Sequence, residues 1–122
     1  MSLKQQLERF RYTARGFRIA WQEESSFRFH NMWAVLTLVC AYLLKVSNIE
    51  FLIVIAMIGF VLVAELFNTA LEELCDKFQP THDSHIAKIK DLAAAAVSAA
   101  TITAIIVGLI IFIPHVMLLL VV

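Results

Sequence analysis

Charged residues are scarce in this chain. Asp, Glu, Lys and Arg make up only 16% of its 122 residues, whereas 61% are apolar, and the mean hydropathy is +0.80. A soluble globular domain has about 25% charged residues. The composition therefore argues against a soluble monomer and indicates a small integral membrane protein, built as a single domain over residues 1–122.

The chain also lacks an excess of charge of either sign. Ten Lys and Arg residues balance ten Asp and Glu residues, so no overall positive field attracts nucleic acid, and we expect no such partner. The start of the sequence lacks the basic segment and apolar run of a secretory signal peptide. We therefore expect the N-terminus to stay in the cytoplasm.

Glycine and cysteine are rare as well. The glycines at positions 16, 59 and 108 form no phosphate-binding loop, and the GxxxxGK[ST], HRD and DFG motifs are all missing. Classical ATPases and protein kinases are therefore excluded. Cys40 and Cys75 have no CxxC spacing, so we expect packing residues rather than a zinc or redox site.

Residues 3–21 have an amphipathic helical pattern. Apolar residues recur at spacings of four and three, which places them on one narrow arc, with basic residues on its flank. The apolar positions are Leu3, Leu7, Phe10, Ala14, Phe17 and Trp21, and the basic ones are Lys4, Arg11, Arg15 and Arg18. Such helices are typical of anionic membrane surfaces. We predict an interfacial helix within residues 1–28, with a coiled-coil seam as the alternative.

Three apolar segments follow this helix. We predict transmembrane helices at residues 29–49, 51–75 and 92–114, because a hydrocarbon core of about 30 Å needs roughly 20 helical residues. The first segment is short unless its helix continues past Lys45 towards Ile49 or the preceding turn enters the membrane interface. Residues 1–30 contain six Lys and Arg, the loop 76–91 contains three, and the first loop contains one. The positive-inside rule places the N-terminus and the loop 76–91 in the cytoplasm.

Proline and small residues mark the third apolar segment. We expect Pro114 to end its helix, which leaves an apolar tail at residues 116–122 that is too short to cross the membrane again. The run from Ala93 to Ala100 consists almost entirely of small residues, which allow helices to approach closely in lipid. Three spans alone make a thin bundle, so we expect an oligomer.

One polar stripe interrupts the second span. Glu65, Asn68, Glu72 and Asp76 follow each other at i, i+3, i+7 and i+11, so they project from one face of the helix. A carboxylate inside a membrane costs about 2.5–3.5 kcal/mol. We interpret the stripe as a functional site rather than an interhelical hydrogen-bond clamp.

The stripe by itself does not identify the group or ion that its side chains bind. Candidates are the cations of the basic helix, Lys90, a proton or a hard metal ion, and Mg²⁺ would suit carboxylates that also meet phosphate oxygens. His82 and His85 have a spacing that resembles a metal motif, but without an HExxH context we expect solvated loop residues.

The residues around the stripe resemble a known family. The segments E-L-F-N-T-A-L-E-E-L-C-D, from Glu65 to Asp76, and I-K-D-L-A-A-A-A-V, from Ile89 to Val97, are similar to the signature of the bacterial diacylglycerol kinases, a family that includes undecaprenol kinases. The resemblance implies an all-α membrane protein with an interfacial helix and three transmembrane helices. It also implies a homotrimer whose active sites are shared between neighbouring subunits.

Roles for individual residues follow from that resemblance. Glu65 matches the catalytic carboxylate, which positions or deprotonates the lipid hydroxyl, and Asn68 matches the amide of the motif. Glu72 and Glu24 match the Mg²⁺ ligands, with Glu24 chosen over its neighbour because it precedes the Phe-Arg pair at residues 27–28 by three. Lys90 matches a cation that faces phosphate. The remaining matches, around ATP, are Tyr12, Thr13, Asp76 and Asp91, together with Lys90.

The resemblance predicts ATP-dependent phosphorylation of a membrane lipid alcohol in the bacterial cytoplasmic membrane. Arg28-Phe29-His30 is more similar to the undecaprenol kinase branch, because an acidic residue often replaces His30 in the diacylglycerol branch. We therefore favour undecaprenol as substrate, with diacylglycerol as the alternative. A proton-coupled channel or transporter and a non-catalytic membrane subunit are hypotheses from other classes, and neither would need Glu24, Lys90 or Asp91.

Overall fold

The computed structural model describes residues 1–78 and 83–121, and within these ranges it contains four α-helices and no strands. The helices are α1 (Leu3–Glu23), α2 (Ser25–Leu43), α3 (Asn48–Phe78) and α4 (Ser84–Val121). The all-helical prediction is confirmed for these residues. His82, one of the two loop histidines, and Val122, the last residue of the apolar tail, lie outside the described residues.

A single extended residue, Glu24, separates α1 from α2. Its φ and ψ of −114° and 107° interrupt the helix, which leaves carbonyl groups in the last turn of α1 without helical donors. The Arg28 guanidinium satisfies two of them by donating to the carbonyls of Trp21, at 2.6 Å, and Gln22, at 3.3 Å. Since the Glu24 side chain makes no capping bond to α2, its carboxylate stays available for other contacts.

A short turn joins α2 to α3. The amide of Val46 donates to the carbonyl of Ala41 and that of Lys45 to Tyr42, while Lys45 adopts a left-handed φ of 55°, the pattern of a Schellman cap. This cap ends α2 at Leu43, so the prediction of one helix over 29–49 is wrong at its C-terminal end. Asn48 and Ile49 instead belong to α3.

Helices α3 and α4 pack against each other more extensively than any other pair. They are antiparallel, because Lys90, near the start of α4, contacts Asp76, near the end of α3. Ala93 and Ala100, seven residues apart on α4, are buried, whereas Ala94–Ala96 are exposed. Part of the small-residue run therefore packs within the chain.

The segment 76–91, which we expected to be a loop, is largely helical where it is described. Helix α3 continues to Phe78, and α4 begins at Ser84. Asp83 caps α4, because its carboxylate accepts hydrogen bonds from the amides of His85 and Ile86 at 2.9 and 3.0 Å. This use of an acidic side chain at an N-cap stabilises the first turn of a helix.

The expectation that Pro114 ends the last helix is also wrong. Pro114 lies inside α4, which continues for seven more residues to Val121. A proline removes one backbone donor from a helix, but in an apolar medium the other amide and carbonyl groups still need partners, and the helix supplies them. The tail from residue 116 is thus an extension of α4.

Two helices are long and apolar enough to cross a membrane, α3 and α4. By the same criteria of length and hydropathy, α2 does not qualify as a span. The structure therefore supports two of the three predicted spans. The apolar arc of α1 is exposed, with Leu3, Phe10 and Trp21 between 51% and 74% accessible. Cys75 is buried, as expected of a packing residue, whereas Cys40 is exposed.

Candidate functional site

Glu65 is the one buried charged residue in the described part of the chain. It is 5% exposed, and it lies in the C-terminal half of α3. Its Oε1 is 3.1 Å from Nε2 of His30, on the second turn of α2. The contact between α2 and α3 thus encloses a carboxylate and an imidazole in otherwise apolar surroundings.

Asn68 and Glu72 extend the site one and two turns along α3. The Asn68 amide donates to Oε1 of Glu72 at 3.3 Å, which fixes the orientation of both side chains. The Asn68 Oδ1 atom is buried and accepts no hydrogen bond within the described chain. A buried carbonyl oxygen of this kind is costly unless it meets a donor or a cation, so this atom indicates a place for a further ligand.

Glu24 faces the same stripe from the break between α1 and α2. Partial burial raises its pKa, and the carboxylates of Glu72 and Glu65 raise it further. The pKa rises because the negative charges of these groups repel each other. Glu24 therefore faces Glu65 and Glu72 of its own chain, the other two glutamates predicted for the site.

Lys90 and Asp76 form an ion pair between the facing ends of α4 and α3. The Lys90 ammonium donates to Oδ1 of Asp76 at 2.6 Å, and both side chains are partly exposed. An ammonium group has three donors, so Lys90 retains capacity for a phosphate oxygen beside Asp76.

Three predicted site residues form no hydrogen bond or ion pair with these side chains in the described chain. Asp91, Tyr12 and Thr13 are exposed, and the Thr13 hydroxyl donates to the carbonyl of Arg9 within its own helix. Along a helix at 1.5 Å per residue, Tyr12 is about 18 Å from Glu24. Within one chain, Tyr12 and the glutamates do not form a common site.

An apolar groove of about 500 Å³ runs between α2, α3 and α4 beside His30. His30 is its only ionisable lining residue in the described chain. The Thr37 and Thr101 hydroxyls in its wall donate to carbonyls of their own helices, at 2.7 and 2.9 Å. The groove therefore presents hydrocarbon walls that end at the imidazole in contact with Glu65.

His30 is a site residue that the sequence analysis did not assign. It was considered only as a marker of the substrate branch. A histidine inside an apolar segment is expected to face the protein interior with a partner, and this signal could have singled it out. Its partner was not predictable, because Glu65 is on another helix, 35 positions later.

A second contact between a histidine and a glutamate, partly buried, lies at the opposite end of α3. His115 Nε2 is 3.1 and 3.3 Å from the two carboxylate oxygens of Glu50. Glu50 also caps α3, since its Oε1 accepts from the amide of Ser47 at 2.9 Å. This contact joins the first turn of α3 to the C-terminal part of α4. It was likewise not predicted from the sequence.

The donors near Glu24 fit a divalent cation that is shared with a phosphate. No group of three or more His, Cys, Asp and Glu side chains converges in the ranges 1–78 and 83–121, which argues against a cage made by the protein alone. Mg²⁺ is usually held by one or two carboxylates and completes its shell with water and phosphate. The mutual repulsion at Glu24 and the unmatched Asn68 oxygen agree with such a partial site.

Comparison with known proteins identifies the family of the chain. The family model described as prokaryotic diacylglycerol kinase matches residues 11–112. An undecaprenol kinase of Bacillus subtilis is 35% identical over 105 residues, which cover 86% of this chain and 85% of the relative. A diacylglycerol kinase of Escherichia coli is 31% identical over 104 residues, 85% of each chain. The predicted site residues, from Tyr12 to Asp91, all fall within the matched range. These matches show that the chain belongs to the prokaryotic diacylglycerol kinase family and is a lipid kinase.

Proposed function

We propose that the chain transfers the γ-phosphoryl group of ATP to the hydroxyl group of undecaprenol, with Mg²⁺ as cofactor. The observation that carries this proposal is the buried carboxylate of Glu65, in contact with the His30 imidazole that lines an apolar groove. A lipid alcohol has one polar end and a long hydrocarbon chain. The groove would hold part of that chain and direct the hydroxyl towards Glu65.

Glu65 is the proposed general base. Its carboxylate accepts the proton of the lipid hydroxyl while the hydroxyl oxygen bonds to the γ-phosphorus and the bond from that phosphorus to ADP breaks. Because no covalent enzyme intermediate is needed, catalysis depends on positioning and on charge stabilisation. Burial in apolar surroundings excludes the water that would otherwise compete for the phosphoryl group.

Glu24 and Glu72 are the proposed Mg²⁺ ligands. These residues would hold the ion, which would supply positive charge against the phosphate oxygens. Asn68 orients Glu72 through its amide, and Lys90 would direct its ammonium to the transferring phosphoryl group. Asp76 holds Lys90 in place, and Asp91, Tyr12 and Thr13 would contact other parts of the nucleotide.

Undecaprenol is the preferred substrate, with diacylglycerol as the alternative. Sequence identity does not decide between the two lipids, because the similar proteins include an undecaprenol kinase at 35% and diacylglycerol kinases at 31% and 37%. The imidazole of His30 beside the groove supports undecaprenol, since the resemblance associates an acidic residue at this position with diacylglycerol kinases.

The proposed assembly is a homotrimer in the bacterial cytoplasmic membrane. Helix α1 would lie on the cytoplasmic surface, and α2, α3 and α4 would span the bilayer with the α3–α4 connection in the cytoplasm. Extensive exposed apolar surface on α1 and α4 supports association with lipid and with other subunits. Exposed small residues at Ala94–Ala96 would allow close contact between subunits.

One assay tests the substrate assignment. Purified protein is incubated with radiolabelled ATP and with mixed micelles that contain either undecaprenol or diacylglycerol, and kcat/KM is compared. We expect a higher value for undecaprenol. A higher value for diacylglycerol would reverse the choice of lipid, and a lack of transfer to both would overturn the proposed activity.

A further inference from the structure

The side chain of Arg28 joins the two helices across the break at Glu24. Its Nη1 atom, on α2, donates to the carbonyls of Trp21, at 2.6 Å, and Gln22, at 3.3 Å, both in the last turn of α1. We propose that Arg28 is the positioning residue of Glu24, because it fixes the break from which this carboxylate projects. The inference rests on the proposed function, in which Glu24 is a Mg²⁺ ligand, and it concerns a residue that the resemblance uses only to align the segment.

The backbone of Glu24 is held from both sides. Its N–H donates to the carbonyl of Ala20 at 3.0 Å, and its own carbonyl accepts from the N–H of Arg28 at 3.3 Å. Ala20 and Phe27 are buried on the two sides of the break, at 2% and 4% exposure, so apolar packing anchors the adjoining helix ends. The angle between α1 and α2 therefore sets the direction of the Glu24 side chain.

The guanidinium is the side-chain group that controls this angle. Apart from the backbone bonds at Glu24, the hydrogen bonds from Nη1 are those that connect α2 to α1 in the described chain. The last four carbonyls of a helix lack helical donors, and a cation at this end also meets the negative end of the helix dipole. Loss of both bonds would leave α1 free to rotate about the extended residue and would move the Glu24 carboxylate relative to Glu72.

The charge of Arg28 does not neutralise the carboxylate that it positions. Among residues 1–78 and 83–121 the guanidinium forms no ion pair with an acidic side chain, since it is directed to the two carbonyls. By charge alone, removal of a cation near a group of carboxylates should strengthen the binding of Mg²⁺. If Arg28 positions Glu24, its removal should weaken that binding instead, so the two effects differ in sign.

The test compares Arg28→Met, which has no donor, with Arg28→Lys, whose ammonium lies one bond closer to the backbone and can donate to both carbonyls. The readout is the Mg²⁺ concentration that gives half of the rise in unfolding temperature, in detergent with a non-hydrolysable ATP analogue and without lipid. We expect Arg28→Met to raise this concentration about tenfold or more, as is usual when a group that orients a metal ligand is lost. Arg28→Lys should stay within about fivefold of the wild type, because a charged donor is retained. The Mg²⁺ requirement of kinase activity should shift in parallel.

Two controls separate positioning from a general loss of fold or charge. Lys88→Met removes an exposed cation from α4 and should leave the Mg²⁺ concentration unchanged. In a Glu24→Gln background, Arg28→Met should weaken Mg²⁺ binding no further, since the group that it positions no longer binds the ion. Circular dichroism shows whether α1 remains helical, and Arg28→Gln, whose amide nitrogen is two bonds closer to the backbone, replaces Arg28→Met if that variant does not fold.

The outcomes distinguish this inference from the proposed function. If Glu24→Gln leaves the Mg²⁺ concentration unchanged, the proposed metal site fails, and the inference fails with it. If Glu24→Gln raises it but a folded Arg28→Met variant has the wild-type value or a lower one, the positioning role is wrong and the metal site stands. Failure of Arg28→Lys to restore binding, or additive losses in the Glu24→Gln background, would also overturn the positioning role.

Discussion

At the scale of single residues, the chemistry is concentrated in a few carboxylates that other side chains orient. Glu65 is buried against His30, and Glu72 is bound by the Asn68 amide. The surroundings of Glu65 and Glu72 differ, and each suits a different chemical role. A buried carboxylate can accept a proton, whereas two partly exposed carboxylates that repel each other can bind a cation.

Replacement of Glu65 by Gln should remove the general base with little change in shape. The amide fills the same volume, but it does not accept the hydroxyl proton. We expect turnover to fall about 10²–10⁴-fold, measured as transfer of radiolabelled phosphate to the lipid. Thermal unfolding in detergent should stay close to that of the wild type. Activity within tenfold of the wild type would remove Glu65 from this role.

Glu24→Gln should change both stability and the Mg²⁺ requirement. Because the pKa of Glu24 is raised in the folded chain, the folded state favours the protonated form, and this contribution to stability is lost as the pH rises through the raised pKa. A neutral amide should therefore raise the unfolding temperature at neutral pH without Mg²⁺. It should also reduce the stabilisation that added Mg²⁺ provides.

The control for this prediction is Glu23→Gln, which changes an adjacent exposed carboxylate. Glu23 contributes least of the four carboxylates that raise the pKa of Glu24, so its substitution should leave the Mg²⁺ dependence of activity unchanged. Glu72→Ala should raise the Mg²⁺ concentration needed for activity, with partial rescue by Mn²⁺. Unchanged metal dependence in both Glu24→Gln and Glu72→Ala would place the ion elsewhere.

At the scale of helices, side chains at the ends determine where each element begins and how it meets the next. Ser47 and Glu50 form a reciprocal capping pair at the start of α3, with contacts of 2.9 and 3.2 Å. The same glutamate holds His115 on α4. One residue thus links the cap of one helix to the packing of another.

Loss of the His115 contact should weaken the packing of α4 beyond Pro114. We expect His115→Leu to lower the free energy of unfolding by about 1–2 kcal/mol, since it removes a hydrogen bond to a partly buried carboxylate. Kinase activity of the folded protein should not change, because Glu50 is about 22 Å from Glu65 along α3. Unfolding in detergent micelles measures the difference, and His115→Gln, which keeps a donor, should recover most of it. Equal stability of His115→Leu and the wild type would show that the contact does not stabilise the fold.

At the scale of the whole molecule, one chain does not bring every predicted site residue together. Within a single chain the charges of Glu72 and Glu65 raise the pKa of Glu24, although no three such side chains converge among residues 1–78 and 83–121. Tyr12, in contrast, is exposed and about 18 Å from Glu24 along α1. If Tyr12 contacts the nucleotide near these carboxylates, it must do so in a neighbouring subunit.

Mixing of inactive subunits tests this division. Co-assembly of Tyr12→Ala with Glu65→Gln subunits should regenerate sites in which Tyr12 and the carboxylates come from different chains, and activity should partly recover. Co-assembly of Glu24→Ala with Glu65→Gln should not recover activity, because these two residues belong to the same chain in each site. Recovery in the second mixture, or none in the first after verified mixing, would contradict this arrangement.

The sequence was most informative where one helix carried the whole pattern. The stripe from Glu65 to Asp76 follows from helical spacing alone, and the structure confirms that its first member is buried. Helix ends were less predictable. Pro114 was expected to stop α4, and Lys45 was expected to lie within a continuing helix, because local preferences do not include the hydrogen bonds that an apolar medium requires or the cap formed by Val46 and Ala41.

The sequence by itself determined that the chain is helical and apolar, that a line of carboxylates and an amide occupies one face of α3, and that the signature is that of a lipid kinase family. The first two properties depend on composition and on spacing within one element, whereas the third is a resemblance to known sequences. The tertiary structure decided which groups meet across elements: His30 with Glu65, Lys90 with Asp76, and His115 with Glu50. Such contacts depend on how α2, α3 and α4 pack in three dimensions, and residues that lie 14 to 65 positions apart have no fixed spatial relation until the helices have packed.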